Sequence, residues 1–282
     1  MTVQNRIHAA AIQAPLNFLR PMAARPVSYQ YDPPPGVPRR SGTYDPHDVL
    51  IRDARPLAVD LSLDVEGFAL LQRATAFRSF NDAAAIRQAY FPEVEQLIAE
   101  ATGARQVIAF DHNVRNAARA DNGEPGIRGP VQSTHNDFTA RSGRDRAFSE
   151  LAARGLDAAL LDSRFAIINL WRPIGRPVEK SPLGLCDAGS IAPGDLIVND
   201  LVYRDRVGET YALRFNPTQL WYHFPRLTPD EAILIKGYDS AEDVARFTAH
   251  SAFEDPASRS DAPERESIEV RALVIYPDVA TR

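Results

Sequence analysis

In the stretch QSTHNDFT (132–139), a histidine and an aspartate stand two residues apart, at His135 and Asp137. On an extended backbone such residues share a face, so an imidazole and a carboxylate point the same way. A second imidazole from a distant strand would complete a two-histidine, one-carboxylate facial triad. That arrangement binds Fe(II) and leaves three coordination positions open. Two of them suit a chelating 2-oxo acid and the third O2. Alone, the pair is a weak signal, equally at home in a solvated turn near Arg141.

Two downstream histidines compete for the third corner. His223 lies in LWYHFPRLTPDE, among Trp221, Tyr222, Phe224 and Pro225, where a half-buried histidine in an aromatic strand is the plainer reading. His250 lies in RFTAHSAFEDP and, if extended, shares a face with Thr248 and Ala252, small neighbours that leave room for a metal. The cations that follow separate the two. An oxo acid with a far carboxylate needs a cation, and the planar fork of arginine binds carboxylate bidentately without losing its charge. Beyond His250 come Arg265 and Ser267, a guanidinium and a hydroxyl for one carboxylate, with Arg271 on the same expected face as the second candidate. Beyond His223 stand Arg226, too close in sequence, and Lys236. The residues favour His250, and Lys236 keeps the His223 alternative open.

Elements of the right kind surround these residues. From 105 onward, short apolar runs are separated by Gly, Pro and Asp: 106–114, 164–174, 195–203, 210–216, 219–224, 232–238, 245–253 and 267–276. Strands at that spacing predict a sandwich or barrel. Helices are expected over 79–90, over 91–104 with Pro92 in its first turn and Gly103 as its stop, and over 143–155. Residues 29–48 carry five prolines, which suits an extended arm, while 49–55 and 61–70 read as short strands. The expected organisation is one domain, 1–282, with arm and helices (1–104) packing on a β core (105–282).

Composition narrows the function classes. At 282 residues, with 44% hydrophobic and 24% charged residues, the chain can bury a sizeable core. A net charge of −5 offers no basic field for nucleic acid or an anionic membrane. No apolar run approaches the roughly 20 residues that span a bilayer, and the first 21 residues lack the layout of a secretory signal. The single cysteine, Cys186, makes no intrachain disulfide and suits a reducing cytosol, so a cytoplasmic location is expected. No glycine-rich phosphate loop follows a strand, which disfavours a dinucleotide or methyl-donor fold.

The segments FDHNVR, HNDFT, NLWRPI, WYHFPRLTPDEAILIKGYDS, AHSAFEDP and RESIEVRALVIYP, with YQYDPPPG and LDVEGFAL near the start, resemble in order the AsaB/CmcJ-like hydroxylase/desaturase family. The resemblance spans nearly the whole chain. It implies a mainly β fold with flanking helices around a double-stranded β-helix (jelly-roll, cupin-like) core. It also implies Fe(II), 2-oxoglutarate and O2 as cofactors, and oxidation of an unactivated C–H bond of a small molecule through an Fe(IV)-oxo. Carried onto this chain, His135, Asp137 and His250 would hold the metal, and Arg265 with Ser267, or else Arg271, the oxo acid. Many relatives carry an aromatic residue at the position of His223, which again points to His250. Further candidates for substrate contact are His112, Arg115, Arg172, Trp221 and Tyr222. The alternatives are a non-redox hydrolase or lyase, a binding module on the same barrel, or a methyltransferase.

Overall fold

Runs of β-branched and aromatic residues between turn residues build most of this chain. The structure, a computed structural model, describes residues 10–278; of the opening segment read for a secretory signal, residues 1–9 lie outside that range. In chain order the strands are β1 (Ala11–Leu19), β2 (Val27–Tyr29), β3 (Tyr44–Asp53), β4 (Phe68–Gln72), β5 (Gln106–Arg115), β6 (Ile127–Arg128), β7 (His135–Asn136) and β8 (Phe165–Pro173). They continue with β9 (Leu183–Cys186), β10 (Leu196–Val202), β11 (Val207–Leu213), β12 (Trp221–His223), β13 (Glu231–Asp239), β14 (His250–Ala252) and β15 (Ser267–Ile275). One sheet runs β1-β3-β12-β9-β14-β7-β11-β10-β2 and the other β4-β13-β8-β15-β5-β6. The two curl around a shared interior as a double-stranded β-helix, the expected core.

The interior is apolar on one side of the site and capped by a helix on the other. Phe68, Trp171, Ile233 and Ile235 of the six-stranded sheet meet Leu183, Leu185 and Tyr222 of the nine-stranded sheet. At the other side, Phe165, Ile167, Leu273 and Ile275 pack against Ala147 and Leu151 of a helix, Ala140–Ala153. Outside the six-stranded sheet, Ile268 and Val270 bury Val94 and Ile98 of the helix Phe91–Thr102. Alternate residues of β15 thus serve two cores, as a period of two requires.

Several elements depart from expectation, for local reasons. The helices expected at 79–90 and 91–104 form one run, opened by Asp82, whose carboxylate accepts the Ala84 and Ala85 amides at 2.8 and 3.0 Å. A π-helical turn over Ile86–Tyr90 sits where Pro92 removes an amide from the helical ladder. The helix expected at 143 starts at Ala140, because Thr139 and Ser142 form a reciprocal cap. The expected strand over 61–70 is a turn until Phe68, and only His250–Ala252 of the run 245–253 pairs in a sheet. Residues before 105 do more than wrap the core: β1, β2 and β3 join the nine-stranded sheet and β4 the six-stranded one.

Gly67 ties the turn before β4 to the segment leading into β14. Its carbonyl accepts the Thr248 hydroxyl at 2.8 Å and the Lys236 amide at 2.8 Å. Its φ of +84° is in the left-handed region, and a Cβ there would collide with Thr248 Oγ1. Gly67→Ala combines overpacking with backbone strain and should destabilise the fold by about 2–4 kcal/mol. Thermal denaturation should show a lowered Tm; a Tm equal to wild type would mean that the turn yields freely.

Candidate active site

His135 and His250 face each other across the pairing of β7 with β14. Their rings lie 4.5 Å apart, centroid to centroid. The side-chain period brings Asp137 to the same face, with Oδ1 3.8 Å from His135 Nε2. One ligand atom from each of His135, Asp137 and His250 lies within 4.8 Å of the others, the spacing of a three-point metal site.

Local bonds fix the orientation of both imidazoles. His135 Nδ1 lies 2.8 Å from the Ser133 carbonyl and His250 Nδ1 3.1 Å from that of Thr248. A carbonyl only accepts, so each Nδ1 is the donor and each Nε2 is the atom turned toward the other two residues of the cluster. Burial, reinforced by His250, pushes the His135 pKa down to about 3, so the ring stays neutral near pH 7. Asn136 supports both ligand segments: its amide donates to the Gly237 carbonyl (2.8 Å) and its oxygen accepts the Thr248 amide (3.2 Å).

Asp137 is oriented from the opposite sheet. Its Oδ2 accepts from Asn169 Nδ2 at 2.7 Å and from Arg271 Nε at 2.9 Å, leaving Oδ1 toward the histidines. Burial acts to raise this carboxyl, but Arg271, His250 and His135 outweigh it and hold the group below the usual carboxylate range. Arg271 also donates to Asp111 (3.0 Å) and approaches Glu269 (3.4 Å). This differs from the free anchor expected of Arg271, because its guanidinium is already engaged by three carboxylates. Asn169 and Glu269, joined at 2.8 Å, were not singled out from sequence. The signal was there: Asn169 is a lone amide in the apolar run FAIINLW, and Ser267, Glu269 and Arg271 alternate with Ile268 and Val270.

Two cavities meet at this cluster. A small pocket is lined by His135, His250, Trp171, Arg115, Arg265 and Glu269. Arg265 is 3% exposed, and its Nη1 donates to the Ser181 carbonyl at 2.5 Å while Nε has no partner. Its guanidinium carbon sits 5.3 Å from the centre of the Trp171 ring. The Ser267 hydroxyl is buried without a partner. Burial, with the like charge of Arg115, lowers the Arg265 pKa to about 9. The second cavity, about 1040 Å³, reaches Asp137 and Arg271 and is walled by Phe110, Phe138, Leu201 and Tyr203 among several charged groups.

The remaining candidates scatter. Arg115 lines both cavities. His112 points to the helical side of β5, edge-on to Phe91 at 5.7 Å, and reaches only the rim of the large cavity. Arg172 is fully buried on the outer, helix-covered face of β8, where it donates to the Pro229 carbonyl at 3.1 Å, away from both cavities. Tyr222 belongs to the apolar interior. Trp221, the next residue on the strand, packs on Phe18, Ile51 and Cys186 on the other face. His223 shares that outer side, edge-on to Phe253 at 5.5 Å, and stands apart from the His135–Asp137–His250 cluster. Lys236 is buried in an ion-pair cluster with Asp64 and Asp239.

Comparison with known proteins agrees with this geometry. A family model described as an oxidoreductase/YMDC permease-like domain matches residues 16–275. The Fe(II)/2-oxoglutarate-dependent dioxygenase nvfI of Aspergillus novofumigatus is 37% identical over 257 residues, covering 87% of this chain and 89% of that protein. The hydroxylase/desaturase efuI of Hormonema carpetanum is 33% identical over 301 residues, covering 95% and 98%. The solved structure of the iron and alpha-ketoglutarate-dependent endoperoxidase NvfI superposes with a TM-score of 0.83 at 30% identity, covering 94% of this chain and 98% of that one. The chain belongs to this oxidoreductase family, the AsaB-like Fe(II)/2-oxoglutarate-dependent dioxygenases and hydroxylase/desaturases.

Proposed function

We propose that this chain is an Fe(II)- and 2-oxoglutarate-dependent dioxygenase that oxidises a small natural-product-like molecule seated in the large cavity. The observation that carries the reading is the cluster of two imidazole nitrogens and one carboxylate oxygen at metal-ligand spacing, opening on a pocket that holds a buried guanidinium whose Nε has no partner. His135, Asp137 and His250 are the metal ligands in this reading. Borderline nitrogen and hard oxygen donors on one side of the ion suit Fe(II) and leave positions for small ligands. When bound, the iron with 2-oxoglutarate and O2 supplies the oxidising chemistry.

The protein's part is placement. Arg265 binds the far carboxylate of 2-oxoglutarate, assisted by the Ser267 hydroxyl; the orphaned Arg265 Nε and Ser267 Oγ are the donors such a ligand satisfies. Trp171 packs against that guanidinium and walls the pocket from bulk water. Asn169 and Arg271 hold Asp137 so that one oxygen is presented to the metal. Phe110, Phe138, Leu201 and Tyr203 give the large cavity an apolar component beside its charges, fit for a small organic molecule.

Anaerobic addition of Fe(II) and 2-oxoglutarate should produce a weak visible charge-transfer band. His250→Ala should abolish it and His223→Ala should leave it intact; the reverse pattern would overturn the ligand assignment. Succinate release stimulated by one member of a metabolite panel then identifies the substrate. Removing a support of Asp137 should act on the metal without removing a ligand. Asn169→Ala and Arg271→Gln should each weaken Fe(II) binding by about 10- to 100-fold in a chelator competition assay. Wild-type metal affinity in both variants would show that Asp137 needs neither support.

A further inference from the structure

The inward side chains of the six-stranded sheet lie in register, in rows about 7 Å apart along the strands. The first row is Asp111, Arg271 and Asn169, on β5, β15 and β8; the second is Asn113, Glu269 and Trp171; the third is Arg115, Ser267 and Pro173. Asp137 is held by the first row. The small pocket extends from the histidines past the second row to Arg115 of the third and to Arg265 just beyond β15.

At the far end of that pocket, positive charge is in excess. The Arg115 guanidinium donates through Nη1 to the Gly129 carbonyl at 2.9 Å, and Arg265 to the Ser181 carbonyl. Among the described residues neither forms an ion pair. The acid that lines the same pocket, Glu269, is already bonded to Asn169 and turned toward Arg271. One buried and one half-buried guanidinium facing one pocket repel each other and lose hydration, and an anion between them relieves both costs. Burial depresses Arg265, with Arg115 as the next cause, and burial depresses Arg115 as well.

We infer that Arg115 is a second clamp for the 2-oxo acid, so that the far carboxylate sits between Arg115 and Arg265 with the Ser267 hydroxyl as a third donor. The assignment rests on the co-substrate reading given above and adds to it a residue from a different strand. Because Arg115 also lines the large cavity, the same guanidinium forms part of the wall between co-substrate and substrate.

Anaerobic titration calorimetry of the Fe(II) protein tests this with two probes. One is 2-oxoglutarate; the other is 2-oxopentanoate, which keeps the oxo-acid end and the chain length but lacks the far carboxylate. R115Q should weaken 2-oxoglutarate binding by about ten- to a hundred-fold and leave 2-oxopentanoate unchanged. R115K, a point charge without the fork, should fall between wild type and R115Q. Wild-type affinity of R115Q for 2-oxoglutarate, with R265Q still impaired, overturns the role of Arg115 and spares the pocket reading. Equal loss of both probes in R115Q also overturns it, since Arg115 then acts through the fold or the metal. A wild-type protein that binds the two probes equally well sinks the co-substrate reading itself.

Discussion

One carboxylate oxygen, Oδ2 of Asp137, ties the two sheets together at the point where chemistry is possible. Asp137 follows β7 of the nine-stranded sheet, and its partners Asn169 and Arg271 stand on β8 and β15 of the other. The interior is therefore crossed by hydrogen bonds at this level and filled with apolar side chains on either side of it. An ionised carboxylate buried without a partner costs several kcal/mol, so Arg271 is a condition of placing Asp137 here at all. The condition propagates. Arg271 also meets two further acids, Asp111 and Glu269, and Glu269 in turn accepts from Asn169. The result is a connected polar network in which one guanidinium and one amide serve three carboxylates, leaving Oδ1 directed at the histidines.

The same requirement distinguishes the two cavities. Beside the large one, Arg271 is neutralised by the protein itself, as is Arg25 by Asp200 and Glu209. In the small pocket, Arg265 meets the Ser181 carbonyl and the Trp171 ring and Arg115 the Gly129 carbonyl, and among the described residues neither forms an ion pair. Natural proteins seldom leave buried charge uncompensated unless a ligand completes it. That difference in counter-charge supports the proposed place of the co-substrate carboxylate in the small pocket, with Arg115 shared between the two cavities.

Much of this was legible in the sequence, and the gaps have physical causes. His135 and Asp137 share a face because extended backbone repeats every second residue, which needs no tertiary information. His250 could be preferred over His223 from its small neighbours and from the arginine that follows. Arg271 shows where such reading fails. Period two placed it correctly on the inward face with Ser267, but alternation cannot say which inward residue meets which group across the sandwich. Arg172 fails for a related reason: one position beyond Trp171, it points to the helix-covered side, where its guanidinium meets the Pro229 carbonyl. The helix starts were misplaced where side-chain caps decide them, as at Thr139. Strand β1 was missed because AIQAPLNFL carries a proline and an asparagine, tolerable on a sheet edge but not expected within it.

The two strands that carry the histidines are very short, two residues in β7 and three in β14, so ladder bonds alone hold them poorly. Side chains that face away from the His135–Asp137–His250 cluster make up the difference. Thr134 donates both its amide and its hydroxyl to the Asn17 carbonyl, at 2.9 Å each, fixing the entry into β7 from β1. Asn136, between two ligands in sequence, holds the amide of Thr248, the residue whose carbonyl orients the third. Thr248 in turn is bonded through its hydroxyl to Gly67, in the turn that leads into β4. Each imidazole is oriented by the backbone two residues before it, and that backbone is fixed by a neighbouring element. The donor geometry is thus set by the folded chain itself, which is the preorganisation that a three-ligand metal site needs.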